Sequence, residues 1–195
     1  LFERQLLGHL SRNEGDYTGA ILQLPESLSK MLVHGYQSLI FNKVLDMRIK
    51  GGMDACLPQI GDYIMPADGY GGPDQRVTIE VTERNQSKLS KRCREGKAWV
   101  AGLLPGANSK FSKGWQGELE KKVMDDFGVK FGDFIIDDIH ELSSYGMYRP
   151  LFQKYNDIKV DYSSEDPIFS FWLHKGTYAT SFLREIMKSS DVTVY

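Results

Sequence analysis

Only two of the 195 residues are cysteine, Cys56 and Cys93. That density cannot build a disulfide framework, and their separation matches no metal-ligand spacing, so a reducing, cytoplasmic setting is expected. Long apolar runs are also missing. No stretch approaches the roughly 18 residues that a membrane-spanning helix requires, and no secretory leader is recognisable, so no membrane partner is expected. Neither sign of charge dominates. The 24 Lys and Arg against 26 Asp and Glu leave a formal net charge of −2, which excludes a uniformly basic nucleic-acid protein. It does not exclude a local basic patch, because phosphate binding depends on charge clustered on one surface. Repeats, low-complexity tracts, a Ser/His/Asp order and carboxylate clusters with metal spacing are absent too. Lys175-Gly176-Thr177 is only superficially similar to the end of a phosphate-binding loop, lacking the leading glycine and spacer.

What is present is ordinary for a globular chain. A hydrophobic fraction of 41% and a charged fraction of 26% permit a real core, in one larger or two smaller domains. Leu1 to Arg12 reads as an amphipathic helix already under way at the first residue. A second helix starts at Gly15-Asp16 and stops at Pro25, and Ser27 is placed to cap a third. That third helix carries Leu28, Met31, Leu32, Tyr36, Leu39, Ile40, Val44, Leu45 and Ile49 at helical spacing as far as Lys50, where Gly51-Gly52 ends it.

The texture then changes to short extended runs and glycine turns. Strands are expected at Gly61 to Pro66, at Val77 to Val81 by its period-two alternation, and at Ala98 to Leu103. A helix from Asn85 to Gly96, capped by Thr82, carries Lys88, Lys91 and Arg92 on one face, and another spans Gly117 to Asp126. Phe131 to Ile139 is apolar but ambiguous. Past Pro150, Leu151-Phe152 and Ile158 to Tyr162 read as strands.

Near the end two periodicities meet at a glycine. Ile168 to Leu173 is a nearly continuous apolar, aromatic-rich run, the pattern of a strand covered on both faces. Gly176 breaks it. Thr177 is then placed to cap a helix burying Phe182, Leu183, Ile186 and Met187, with Tyr178 held on its first turn. Such strand-to-helix turns commonly present ligand-contacting groups in α/β proteins.

Three stretches carry a family resemblance. Phe171 to Ile186, F-W-L-H-K-G-T-Y-A-T-S-F-L-R-E-I, is similar to the C-terminal motif L-P-x-G-S-[FY]-A-T-x-x-x-R-E of the TruD family of tRNA pseudouridine synthases, with His174 where the family usually has proline. His34 to Asn42 resembles its H-x-Y-Q-S-x-x-F-N helix. Glu141 to Leu151 resembles its L-S-x-x-G-x-x-R-P-L segment. The family's nucleophilic aspartate, in a G-x-K-D type motif, and its N-Y-F-G type motif are found nowhere in these residues. The chain is therefore expected to be the C-terminal portion of a longer enzyme.

The resemblance implies an α+β fold: a helical segment over 1–50, an inserted small α/β domain with a mixed sheet over 51–150, and a strand and helix over 151–195 that return to the catalytic domain. It implies isomerisation of a tRNA uridine, uridine 13 being the family's target, with neither cofactor nor metal. Tyr178 then matches the aromatic that packs on the target base. Gly176, Arg184, His34, Gln37 and Asn42 become site-shaping residues, and Lys88, Lys91, Arg92 and Arg149 candidate RNA contacts. From spacing alone each has a plainer role: Tyr178 a core aromatic, His34 a structural histidine, Arg149 an exposed ion pair where the sharper reading is a contact between domains or to phosphate, the basic residues of the Asn85 to Gly96 helix a solvated face. The alternative function is an RNA-binding module without chemistry; a nucleotide-binding α/β domain rests only on the strand–glycine–helix unit.

Overall fold

The computed structural model describes residues 2–137, 139–174 and 176–188; Leu1, Asp138, Lys175 and residues 189–195, which the sequence readings include, lie outside them. The chain opens with α1 (Phe2–Leu10) and α2 (Tyr17–Ile21), the latter capped by Asp16, whose carboxylate accepts from the Gly19 amide at 2.8 Å. The long helix α3 (Glu26–Lys50) is next. Its N-cap is Pro25 rather than Ser27. Proline at φ −55° is already set for a helix start, and its carbonyl accepts from Leu28 and Ser29 with no side-chain cap. Gly51 ends the helix as the sequence predicts.

Beyond it come β1 (Tyr63–Pro66), β2 (Ile79–Glu80), α4 (Gln86–Arg94), β3 (Ala98–Leu104), α5 (Gly114–Asp126) and β4 (Met147–Pro150), with short 3-10 turns at Phe131–Phe134 and His140–Leu142. The strands form one sheet in the order β2-β1-β3-β4, and every pair is antiparallel, where a mixed sheet was expected. The reason is topological. Helix α4 joins β2 to β3, which run parallel to each other, but β1 lies between them, so no parallel pair is adjacent. The cap expected from Thr82 falls instead at Asn85, whose side-chain oxygen accepts from the Thr82 amide at 2.8 Å. The strand expected at Leu151-Phe152 is displaced to β4, which ends at Pro150 on the sheet edge, where the missing N–H is tolerated.

Helix α3 contributes to both apolar clusters of the interior. Phe41 packs with Ile64, Val100 and Leu151 of the sheet side, while Ile40 and Val44 pack against Val123 and Met124 of α5. The Arg48 guanidinium is fully buried and bridges to Asp62 at 2.7 and 2.8 Å, to Gln116 at 2.7 Å and to the Asp54 carbonyl. Asp62 in turn accepts from the Gln59 amide, and Glu120 accepts from Gln116 and from both donors of Ser112. Burial pushes the Glu120 carboxyl above its ordinary range, opposed by those hydrogen bonds.

The C-terminal part is a two-stranded antiparallel hairpin, β5 (Asn156–Asp161) with β6 (Ile168–Trp172), then α6 (Ala179–Met187). Contrary to the expectation of a strand covered on both faces, β6 alternates: Phe169 and Phe171 turn inward, Ile168, Ser170 and Trp172 outward. A two-stranded ribbon offers one packed face, and Ser170 interrupts the apolar run. On α6, Phe182 and Leu183 are half-buried, but Ile186 and Met187 are exposed. The cap is also displaced. Gly176 turns the chain at φ +88°, a conformation glycine adopts without strain, and the helix is entered from Tyr178 in an extended conformation, leaving the Thr177 hydroxyl unused. No helix among the described residues is long and apolar enough to cross a membrane.

Candidate functional site

A cleft of about 920 Å³ opens where α3, β4 with its flanking segments, and the turn into α6 meet. His34, Gln37, Ser38, Phe41, Asn42 and Leu45 all line it. Their spacing of three and four residues is one stripe of a helix, so the H-x-Y-Q-S-x-x-F-N pattern is a face rather than a string. Tyr36 points elsewhere, its ring edge-on to Phe127 at 6.0 Å. Residues 144–153 form a second wall, and Gly176, Thr177, Tyr178, Ser181 and Glu185 a third. Gln75, from the β1–β2 connection, closes the rim.

Gln37 is the buried hinge between two of these walls. Its amide nitrogen donates to the Pro105 carbonyl and to the Ser144 hydroxyl, both at 2.6 Å. The loop it holds is tight: Gly106 lies so close to the backbone of Gly146 that a side chain there would collide. His34 and Asn42 stay exposed on the cleft wall.

Arg149 joins the three walls. Its guanidinium carbon lies 5.3 Å from the Phe41 ring centroid and 5.5 Å from that of Tyr178, placing a planar cation against an aromatic of α3 and the aromatic at the start of α6. Tyr178 itself is 57% exposed, with ring surface free for a ligand. Its carbonyl accepts from the Tyr155 hydroxyl at 3.4 Å. The Tyr155 ring packs on Phe182 at 4.4 Å, and Phe182 on Phe171 at 4.7 Å, so an aromatic cluster fixes the turn that presents Tyr178. Burial, then the charge of Glu185, pushes the Tyr155 hydroxyl upward, which keeps it a donor. Tyr148, its ring tilted against that of Tyr63 at 4.8 Å, is pushed up strongly, chiefly by burial.

Other candidates lie apart. Arg184 is exposed and does not line the cleft. Lys88, Lys91 and Arg92 sit on the outer side of α4, whose inner side buries Leu89 and Cys93; Lys91 lies 4.0 Å from Glu95. Sequence reasoning missed Phe41, Gln75, Gln153, Tyr155 and Glu185 as cleft residues. Helical spacing from His34 would have found Phe41, whereas Gln75 and Gln153 come from segments without periodicity. Among the described residues no group of three His, Cys, Asp or Glu side chains is placed to hold a metal ion.

The cleft lies in an α+β protein, between a helix stripe, a sheet-edge strand and an aromatic at a helix start, and comparison with known proteins gives its class. A curated relative from Methanosarcina mazei, named as a probable tRNA pseudouridine synthase D, is 35% identical over 193 residues, covering 95% of this chain and 44% of the relative. One of the same name from Thermoplasma volcanium is 37% identical over 186 residues, with the same coverages. A crystal structure described as TruD of Methanosarcina mazei superposes with a TM-score of 0.82 at 34% identity, over 96% of this chain and 44% of that one. The profile of the family described as tRNA pseudouridine synthase D (TruD) matches residues 1–186, and the chain belongs to that family. It spans about 44% of the length of these relatives.

Proposed function

We propose that this chain forms the substrate-gripping part of a tRNA pseudouridine synthase acting in the cytoplasm on uridine 13 of tRNA. The observation that carries the reading is the convergence of the three family-like stretches on one cleft, with an exposed tyrosine at its rim. In the reaction the target nucleotide leaves the stack, the bond from ribose C1′ to uracil N1 breaks, and the base turns and rejoins C1′ through C5. N1 ends with a proton and C5 loses one, so nothing is consumed. The nucleophilic aspartate belongs, by resemblance, to a G-x-K-D type motif outside these residues. Tyr178 supplies a stacking surface for the extruded base, worth on the order of 1–3 kcal/mol and offsetting part of the unstacking cost. His34 and Asn42 are placed to meet the nucleotide, Gln37 and Gly176 to shape the walls, and the outer face of α4 to meet phosphates. Arg184 remains a site-shaping candidate by motif alone.

The test is tritium release from tRNA carrying [5-³H]uridine. The full-length protein should release tritium, and the 195-residue chain alone should not. Tyr178→Phe should retain most activity because the stacking surface survives, whereas Tyr178→Ala should lower kcat/KM by about tenfold to hundredfold. A folded Tyr178→Ala protein with intact turnover, or release by the chain alone, would count against the reading. The rival is a non-catalytic RNA-binding module, favoured if the full-length protein binds tRNA and releases nothing.

A further inference from the structure

Among the described residues only two buried side-chain polar atoms lack any hydrogen-bond partner, Gln153 Oε1 and Thr177 Oγ1. Both residues line the cleft that Tyr178 borders. The rest of the interior is treated differently: Gln37, Arg48, Asp62, Gln116 and Glu120 are buried and each is hydrogen-bonded. A buried polar atom left unpaired is destabilising, and native interiors keep few of them. Two in one cleft, and none elsewhere among the described residues, set this cleft apart from the rest of the interior.

Their chemistry narrows the ligand. Gln153 Oε1 only accepts, while the Thr177 hydroxyl donates and accepts. The free edge of uracil offers one donor, N3–H, between two carbonyl acceptors. An amide oxygen meets N3–H and a hydroxyl meets a neighbouring carbonyl. Cytosine presents an acceptor at N3, which would face Gln153 Oε1 with like polarity. Thr177 is also well placed in the chain. It directly precedes Tyr178, and Gly176 turns the backbone into it at φ +88°, so both residues belong to the one turn that borders the cleft. Tyr178 covers the face of a base and cannot tell uracil from cytosine, since every base has a π-face. Edge contacts must supply that choice.

We infer that Gln153 and Thr177 are specificity-determining residues that read the hydrogen-bonding edge of the extruded uracil beside Tyr178. The inference rests on the synthase reading and adds which groups choose the base.

The experiment uses the full-length protein with Gln153→Met and Thr177→Val, singly and together, against RNA carrying uridine or 3-methyluridine at the target. Each variant should lower kcat/KM on uridine by about tenfold, the worth of one hydrogen bond to a buried site, and the pair by more. Wild type should lose a similar factor on 3-methyluridine, and Gln153→Met should show little further loss there, because the contact is already gone. Melting temperatures should be unchanged or higher, since an apolar isostere replaces an atom with no partner. Wild-type activity with variants that keep uridine turnover within about twofold, or that are destabilised like residues with structural partners, overturns the inference alone. A wild type inactive on uridine overturns the synthase reading itself.

Discussion

The sheet unit and the C-terminal hairpin with α6 hold their shapes by different means. Strand β3 is buried at every position from Ala98 to Leu103, paired on both sides and covered by α3 and α4. The Arg48–Asp62 pair is sealed from water and hydrogen-bonded to Gln116 and to the Gln59 amide. The hairpin has only two strands. Its aromatic cluster of Tyr155, Phe171 and Phe182 is half-buried, and Ile168, Trp172, Ile186 and Met187 are exposed. It meets the rest of the protein through a few aromatic contacts, among them Arg149 on Tyr178 and His174 at 6.5 Å from Trp99. One region is a rigid frame and the other a lightly anchored arm. Ligand-contacting segments are commonly drawn from the less stable parts of a fold and positioned by a rigid scaffold. Here Tyr178 sits on the arm, while Gln37 and Arg149, which set its surroundings, sit on the frame.

The largest expected effect lies in the frame. Removing one member of a buried ion pair strands the other charge in the interior, so Asp62→Ala should destabilise by about 3–5 kcal/mol. The matching change on the arm, Ile186→Ala at an exposed position, should fall within about 0.5 kcal/mol. Chemical denaturation of both variants checks the contrast. Equal losses would mean that the arm is packed as firmly as the sheet.

A smaller effect is expected where the two regions touch. Arg149→Ala removes a cation from two ring faces, each contact worth about 0.5–1 kcal/mol at an accessible site. Arg149→Lys should recover only part of that, because the flat guanidinium that spans both rings is lost. Amide hydrogen exchange reads the consequence by region: residues 168–174 and 179–187 should exchange faster in Arg149→Ala while the β3 amides keep their protection. Faster exchange spread evenly over β3 and α6 would show the contact to be part of the frame.

The frame was the more legible of the two regions. Helix α3 is legible almost to the residue because its apolar spacing is long and Gly51 closes it, and β3 because Ala98 to Leu103 is an apolar run. The antiparallel sheet was not legible, since no local pattern says that β1 lies between β2 and β3. Nor was the Arg48–Asp62–Gln116 network, whose members stand far apart in sequence and look like surface residues in composition. On the arm, the run around Phe171 has the composition of a doubly covered strand, and apolar composition cannot distinguish a ribbon from a central strand. The cleft was legible where the family resemblance supplied its stretches. Gln153 and Thr177 could be recognised as special only once the structure showed which polar atoms lack partners.

The smallest expected effect on the fold comes from α4, and there the comparison extends to the RNA. Lys88 and Lys91 are exposed on the side of the helix away from Leu89 and Cys93, and Arg92 is half-buried on its flank. Replacing all three with alanine removes charge without opening the core, and alanine is a strong helix former, so the melting temperature should hardly move. Binding is where the change should appear. Each phosphate contact releases counterions and adds roughly 0.7–0.9 to the slope of log affinity against log salt concentration, so up to three lost contacts should flatten the slope by about two units. Glu95 moderates the expectation: it pairs closely with Lys97 at 2.9 Å and lies 4.0 Å from Lys91, so its negative charge should make Lys91 contribute least. Titrating tRNA at several salt concentrations with the triple variant and with Lys88→Ala alone separates the contributions. A slope unchanged in the triple variant would make this face of α4 an ordinary solvated surface and leave the cleft as the proposed RNA contact.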